Sequence, residues 1–177
     1  MTILETARLL FRDHQPEDLE PYCAMEADPE VRRYVGGQPR MRPAAEHKFR
    51  SVYLPPVRNR LGLWATIFKP EGHYIGYCGL YPHFGERGPI PGEGTLAFYL
   101  ARAYWGRGLA TEAGHAFVRF GFGELGLTRI VAGVEVGNDA SLRVLEKLGF
   151  AWLSTEKGER RSFHEFELRN PESSESV

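Results

Sequence analysis

The sequence predicts an α/β fold: one domain on a mixed, mostly antiparallel sheet flanked by helices, with one parallel β-α-β step in the middle. Three observations lead there. Residues 61–68 and 74–81 are apolar, aromatic runs joined by Lys69-Pro70-Glu71-Gly72, which reads as an antiparallel hairpin. Residues 95–101 form another such run, which leads through a glycine-rich turn into a stretch with Leu109, Ala113, Ala116/Phe117 and Phe120 at helical spacing. Residues 129–136 and 140–148 then repeat the strand–helix order.

Taken in order, residues 6–12 read as the first strand. Pro16 opens a helix over 16–27, with Leu19, Tyr22/Cys23 and Glu26 marking its turns, and Asp28-Pro29 ends it. Residues 31–35 form a short turn, and Gly36-Gly37-Gln38-Pro39 is a loop by its chemistry. A second helix spans 43–53 and stops at Pro55-Pro56. After the hairpin, residues 82–94 carry Gly85, Gly88, Pro89, Pro91 and Gly92 and are expected to be a long loop. Such a loop is more often functional than idle, although a mobile connector reads the same way. The helix over 108–125 stops at Gly126. The helix over 140–148 has Asn138 as its N-cap and Gly149 as its stop. Strands 151–155 and 163–168, joined by loop 156–161, complete a domain over residues 1–169. Residues 170–177, rich in Glu and Ser, are expected to be a disordered tail.

Composition excludes several classes of function. A chain of 177 residues is long enough to bury a real core, and 42% hydrophobic with 25% charged residues is ordinary for a globular protein. A net charge of −1 gives no electrostatic case for nucleic acid. No signal peptide or 18-residue apolar span is visible, so no membrane role is expected. Cys23 and Cys78 make no disulfide framework, which suits a reducing, cytoplasmic setting. His73, Cys78 and His83 are spaced five apart, which alternates their faces along a strand and predicts no metal site. Nothing in the sequence chooses between monomer and homodimer.

The chemistry concentrates at Trp105-Gly106-Arg107-Gly108-Leu109-Ala110-Thr111. A helix opening leaves backbone N–H groups without partners and carries the positive end of the dipole, which suits a phosphate. Two glycines let the backbone approach a ligand, and Arg107 adds positive charge. No Gly-Lys-Ser/Thr follows, so an NTP-binding loop is excluded. The dinucleotide fingerprint falls one residue short at Thr111 and lacks its acid about 20 residues on. Read alone, the turn serves equally as a simple helix start.

A second segment, Asn138-Asp139-Ala140-Ser141-Leu142-Arg143-Val144-Leu145-Glu146-Lys147-Leu148-Gly149-Phe150, shifts that balance. Together the two resemble the GNAT superfamily of acyl-CoA-dependent N-acyltransferases. Trp105 to Ala110 looks like the family's pyrophosphate loop, Gln/Arg-x-x-Gly-x-Gly/Ala, with Trp105 in the Gln/Arg place. The second segment looks like its Asn-x-x-Ala/Ser…Lys-x-Gly-Phe stretch. Leu4-Glu5-Thr6-Ala7-Arg8-Leu9-Leu10-Phe11-Arg12, Glu17-Asp18-Leu19 and Asp28-Pro29-Glu30-Val31 are similar to the branch of ribosomal-protein N-terminal acetyltransferases (RimJ/RimL-like). The resemblance covers roughly residues 3–168. It implies the GNAT fold with two splayed central strands, and acetyl-CoA as co-substrate. It also implies an amine acceptor, either a peptide or protein N-terminus or a small molecule; a non-catalytic acyl-CoA-binding module is the reading from another class.

The resemblance also implies roles. Gly106, Arg107, Gly108, Leu109, Ala110 and Thr111 would hold the diphosphate, with Trp105 walling the entrance. Tyr99, Leu100 and Ala101 would hold the pantetheine amides by their backbone, with Asn138 and Ser141 beside the arm. Many members carry a Tyr four residues after the Ala/Ser position to protonate the departing thiolate. Here that place is Leu145, and Ser141 is the substitute donor. Branch members often carry Glu where this chain has Thr95. Glu93, two residues earlier on the same strand face, is the expected base, with Glu135 as the runner-up. Lacking a clear base, the site suits an α-amine, neutral in about one molecule in ten at pH 7, better than a lysine amine, neutral in about one in 2,500. Residues 34–42, 82–94 and 156–161 would choose the acceptor. Their mixed charges disfavour a polyamine, while a bulkier acyl donor than acetyl stays open.

Overall fold

A computed structural model describes residues 2–56 and 60–174. Among these, eight strands form one sheet: β1 (Thr2–Glu5), β2 (Leu9–Arg12), β3 (Gly62–Phe68), β4 (His73–Gly85), β5 (Gly88–Leu100), β6 (Arg129–Glu135), β7 (Ala151–Lys157) and β8 (Ser162–Arg169). Their spatial order is β1-β2-β3-β4-β5-β6-β8-β7. Every neighbouring pair is antiparallel except β5 and β6, which are parallel. The helices are α1 (Leu19–Ala27), α2 (Pro29–Arg32), α3 (Arg42–Lys48), α4 (Leu109–Gly123) and α5 (Asp139–Leu148). This is the expected mixed α/β architecture.

Two expectations are corrected. The first strand is a tight pair, β1 and β2, folded back at Thr6, whose N–H donates to Leu9. The expected loop over 82–94 is instead the far half of a long hairpin, with Pro82 opposite Gly94 and Gly85 opposite Gly88. Proline is compatible with a strand there because it removes a ladder donor only where a neighbour needs it. β3 begins opposite Leu80 and β6 opposite Glu93, so Pro82, Pro89 and Pro91 all lie where the hairpin overhangs the sheet, and an unpaired edge tolerates proline. At the other end, the Asn170 N–H donates to the Thr128 carbonyl at 2.9 Å and Pro171–Ser174 form a 3₁₀ turn. Residues 175–177 of the expected tail lie outside the described residues.

Side chains alternate across the sheet and build two cores. On one face Phe11, Leu80, Leu96, Leu100 and Ile130 pack under α4 and α5, with the Phe117 ring 4.8 Å from that of Phe11. On the other face Tyr77 of β4 clusters with Tyr22 of α1 and with Phe49 and Tyr53, in the helical turn that follows α3. Each buried aromatic is worth about 3–5 kcal/mol against alanine, so both faces hold the sheet in place.

One feature of the sheet creates the site. β5 and β6 pair only at Glu93–Arg129, Gly94–Ile130 and Thr95–Val131, yet β5 runs on to Leu100 and β6 to Glu135. The two strands diverge past that point and leave a gap through the sheet.

Candidate active site

At one end of the gap is the glycine turn. Gly106 and Gly108 have φ of 71° and 74°, the left-handed region that costs an L-residue about 1–2 kcal/mol. Gly108 is the N-cap of α4 and supplies no side chain to cap it. The first helical bond is Glu112 N–H to Gly108 carbonyl at 3.0 Å, so the N–H groups of Leu109, Ala110 and Thr111 have no intrahelical partner. A Cβ on Gly106 would meet nothing within 4 Å. These donors on an open surface fit a diphosphate.

The turn is pinned from behind. Glu112 accepts from the Thr6 hydroxyl (2.6 Å), the Arg8 backbone N–H (2.9 Å) and Arg8 Nε (2.6 Å), while Arg8 Nη1 donates to the Arg107 carbonyl at 2.9 Å. The Arg107 guanidinium stacks over the rings of Phe68 and Tyr104, at 4.6 and 5.3 Å. Trp105 lies half exposed on the cleft, and its indole N–H donates to the Leu100 carbonyl at 2.7 Å.

In the middle, the alternation of a strand decides which backbone groups face the gap. The Ala101 N–H donates to Ile75 on β4, whereas Gly92 accepts from Thr128 on the β6 side. Leu96, Phe98 and Leu100 therefore turn their backbone groups to the gap, and Tyr99 and Ala101 turn theirs to β4. Tyr99 instead offers its ring as a wall. Opposite lies α5, where Asn138 Oδ1 accepts the Ser141 N–H at 3.2 Å. Asn138 thus caps the helix. The Ser141 hydroxyl lines the cleft with no protein hydrogen bond among the described residues. Leu145 is fully buried and can donate nothing. Arg143 and Lys147 of α5 also line the cleft and add positive charge.

At the far end the cleft, about 770 Å³ in all, opens among Tyr34, Tyr81, His83, Thr95, Phe163 and Glu165. His83 Nδ1 is 3.3 Å from the Thr95 hydroxyl, and its Nε2 is 3.9 Å from Glu93. Burial raises the Tyr81 pKa, a hydrogen bond from Thr95 opposes this, and the Glu165 charge adds to it. Glu165 is also raised, first by burial and then by the Glu156 charge, with His83 pulling the other way.

Glu93 does not line this cleft. Its carboxylate holds Arg129 Nη1 at 3.1 Å, and Arg129 Nε holds Glu167 at 2.7 Å. That pairing engages the Glu93 carboxylate outside the cleft. Glu135 lines the cleft but pairs with Arg161 at 2.7 Å. Sequence reading missed Glu112, Arg8, His83, Tyr81 and Glu165, because each acts through a partner distant in the chain. Among the described residues no cluster of three His, Cys, Asp or Glu side chains is arranged to hold a metal.

Comparison with known proteins finds relatives in sequence and in fold. The family model for the acetyltransferase (GNAT) domain matches residues 8–151. An uncharacterised N-acetyltransferase, p20, of Bacillus licheniformis is 30% identical over 151 residues, which is 85% of this chain and 83% of that protein. Among solved structures, an acetyltransferase (GNAT family) from Bacillus anthracis superimposes with a TM-score of 0.81 at 21% identity, covering 96% of this chain and 98% of that one. The aminoglycoside acetyltransferase AAC(6')-Ib, solved in complex with coenzyme A, superimposes at 0.73 and 21% identity over 95% and 99%. At those identities the structures speak for the fold alone.

Proposed function

This chain belongs to the GNAT acetyltransferase family, and we propose that it moves the acetyl group of acetyl-CoA directly onto an amine, with the α-amine of a peptide or protein N-terminus as acceptor, as in the RimJ/RimL-like branch. One observation carries the proposal. A single cleft joins an uncapped helix N-terminus, a stretch of unpaired strand backbone and a pocket of titratable side chains.

The roles follow from that order. The N–H groups of Leu109, Ala110 and Thr111 hold the diphosphate, with Gly106 and Gly108 shaping the turn. Arg107 holds the turn's outer wall by stacking on Phe68 and Tyr104. The Phe98 backbone and the Leu100 N–H offer partners to the pantetheine amides, the Leu100 carbonyl being held by the Trp105 indole, with the Tyr99 ring, Ala101 and Asn138 around them. The Ser141 hydroxyl donates a proton to the departing thiolate, for which its lack of a protein partner leaves it free. Glu93 acts with Arg129 in setting the charge beside His83.

Paired charges around the acceptor pocket support an acceptor other than a polycation. Glu135 is matched by Arg161 and Glu30 by Arg33, which leaves little net acidic field. A second reading, a small-molecule amine, is favoured by Arg161 Nη2, which donates to the Arg33 carbonyl at 3.2 Å and so ties the loop between β7 and β8 to the end of α2, next to the cleft residue Tyr34. The chain is read as cytoplasmic, since Cys23 and Cys78 are both free and buried, and as a monomer or homodimer. Among the described residues no helix is long and apolar enough to cross a membrane. Thiol release from acetyl-CoA, measured over peptides, free amino acids and small amines, tests the proposal. Turnover restricted to peptides supports it, and no turnover with any amine refutes it.

A further inference from the structure

We propose that Glu165 is the general base of this transfer, taking the proton of the acceptor's ammonium group. The inference rests on the acetyl-transfer reading above and deepens it. Several carboxylates share the acceptor side of the sheet, and ion pairing distinguishes them. Glu93 holds Arg129, Glu135 holds Arg161, Glu30 holds Arg33, and Glu167 holds both Arg129 and Arg169. Glu165 lines the cleft and, among the described residues, has no ion pair.

Its position is as informative as its freedom. Glu165 of β8 pairs in register with Gly133 of β6, and a Cβ built on Gly133 would lie 3.0 Å from Glu165 Oε1. The carboxyl therefore leans across β6 into space that only glycine leaves empty. Gly133 sits just past Val131, the last residue of β6 to pair with β5, so this space borders the fork where the gap opens. A thioester reaching through the gap meets the acceptor nitrogen there. Tyr81, His83 and Thr95 face the same pocket from β4 and β5.

Glu165 accepts one proton from R–NH₃⁺, and the freed lone pair forms a bond to the thioester carbonyl carbon while the C–S bond breaks. The second nitrogen proton passes to water as the amide forms, the Ser141 hydroxyl gives its proton to the thiolate and regains one from water, and Glu165 releases its proton to solvent. The charges around Glu165 suit that work. Glu156 on β7 and burial raise its affinity for a proton, and His83 on β4 lowers it. Glu135 on β6 is neutralised by Arg161, and Arg129 is held by Glu93 and Glu167. A carboxylate whose affinity for a proton is raised is a better base.

The test uses the full chain, acetyl-CoA and the best amine found for the wild type, with kcat and KM measured from pH 5.5 to 9.5. Glu165→Gln keeps the shape and removes the base. We expect kcat to fall about 100-fold or more, with acetyl-CoA affinity by calorimetry unchanged. Its acidic limb should move to follow the free-amine fraction, so that activity climbs as pH rises, and Glu165→Asp should restore part of the rate. Gly133→Ala, which crowds the carboxyl, should lower kcat without weakening acetyl-CoA. A Glu165→Gln enzyme with wild-type kcat and an unchanged acidic limb overturns the inference and leaves the acetyl-transfer reading standing. A wild-type chain that binds no acetyl-CoA overturns both.

Discussion

Glu112 is expected to hold the glycine turn in place, and its removal should cost more than the loss of any one of its partners. Its carboxylate is mostly buried, 19% exposed, whereas the Arg8 side chain is 43% exposed. The ion pair itself is therefore discounted for solvent to below about 1 kcal/mol. The Thr6 hydroxyl and Arg8 backbone N–H bonds are each worth about 1 kcal/mol, and an acid in the first turn of α4 adds about 0.5 kcal/mol through the dipole. Glu112→Ala should then lose about 3 kcal/mol, or roughly 6–12 °C of melting temperature for a chain of this size. Arg8→Ala keeps the backbone N–H bond and should lose under about 1 kcal/mol. Burial opposes ionisation of Glu112, but the bonds from Thr6 and Arg8 prevail and hold its pKa below 4.5. Its contribution is thus complete above pH 4.5 and lost as pH falls below that value. Thermal unfolding at pH 7 and pH 4 reads both effects. Equal losses in the two variants, or a Glu112→Ala melting temperature within about 2 °C of wild type, would refute this account.

Other outcomes follow from the same geometry. Gly108→Ala should cost about 1–2 kcal/mol from the left-handed φ alone, since its Cβ would sit 3.6 Å from Arg8 Nη2 without a clash; calorimetry should show weaker acetyl-CoA binding. Ser141→Ala should lower kcat while leaving the acetyl-CoA KM near wild type, because Asn138 caps the helix through the backbone N–H of residue 141, which alanine keeps. His14 is buried and its pKa is lowered to about 4, chiefly by desolvation. The unfolded chain binds that proton first as pH falls from 6.5 to about 4, so stability drops by about 3 kcal/mol across that window. Urea unfolding of His14→Gln should lose this share of the pH dependence.

The order of elements was legible because each announces itself locally. Helical spacing marked α4, the Asn138 cap and Gly149 stop marked α5, and apolar runs marked β3, β5 and β6. The glycine turn was legible for a similar reason, since left-handed backbone followed by an apolar period is a short-range signal. The overhanging hairpin was not. Its prolines look like loop residues until β3 and β6 are known to stop short of them. The partners of the turn were hidden by separation: Glu112 reads as an ordinary first-turn acid, and only the fold brings Thr6 and Arg8 to it.

The same separation explains why spacing suggested Glu93 as the base. Two residues along a strand restores the face, so Glu93 and Thr95 do point to one side. Which side chain stays available, however, is set by where the cations fall. β6 begins with Arg129, directly opposite Glu93, and that parallel pairing binds the two together at the closed end of the fork. Arg161 reaches Glu135 from the loop between β7 and β8. Glu165 faces a glycine instead, and no arginine of the described chain reaches it. A divergent strand pair opens a path through the sheet, and the placement of Arg129 and Arg161 around it engages Glu93 and Glu135 while leaving Glu165, at the mouth of that path, able to exchange a proton.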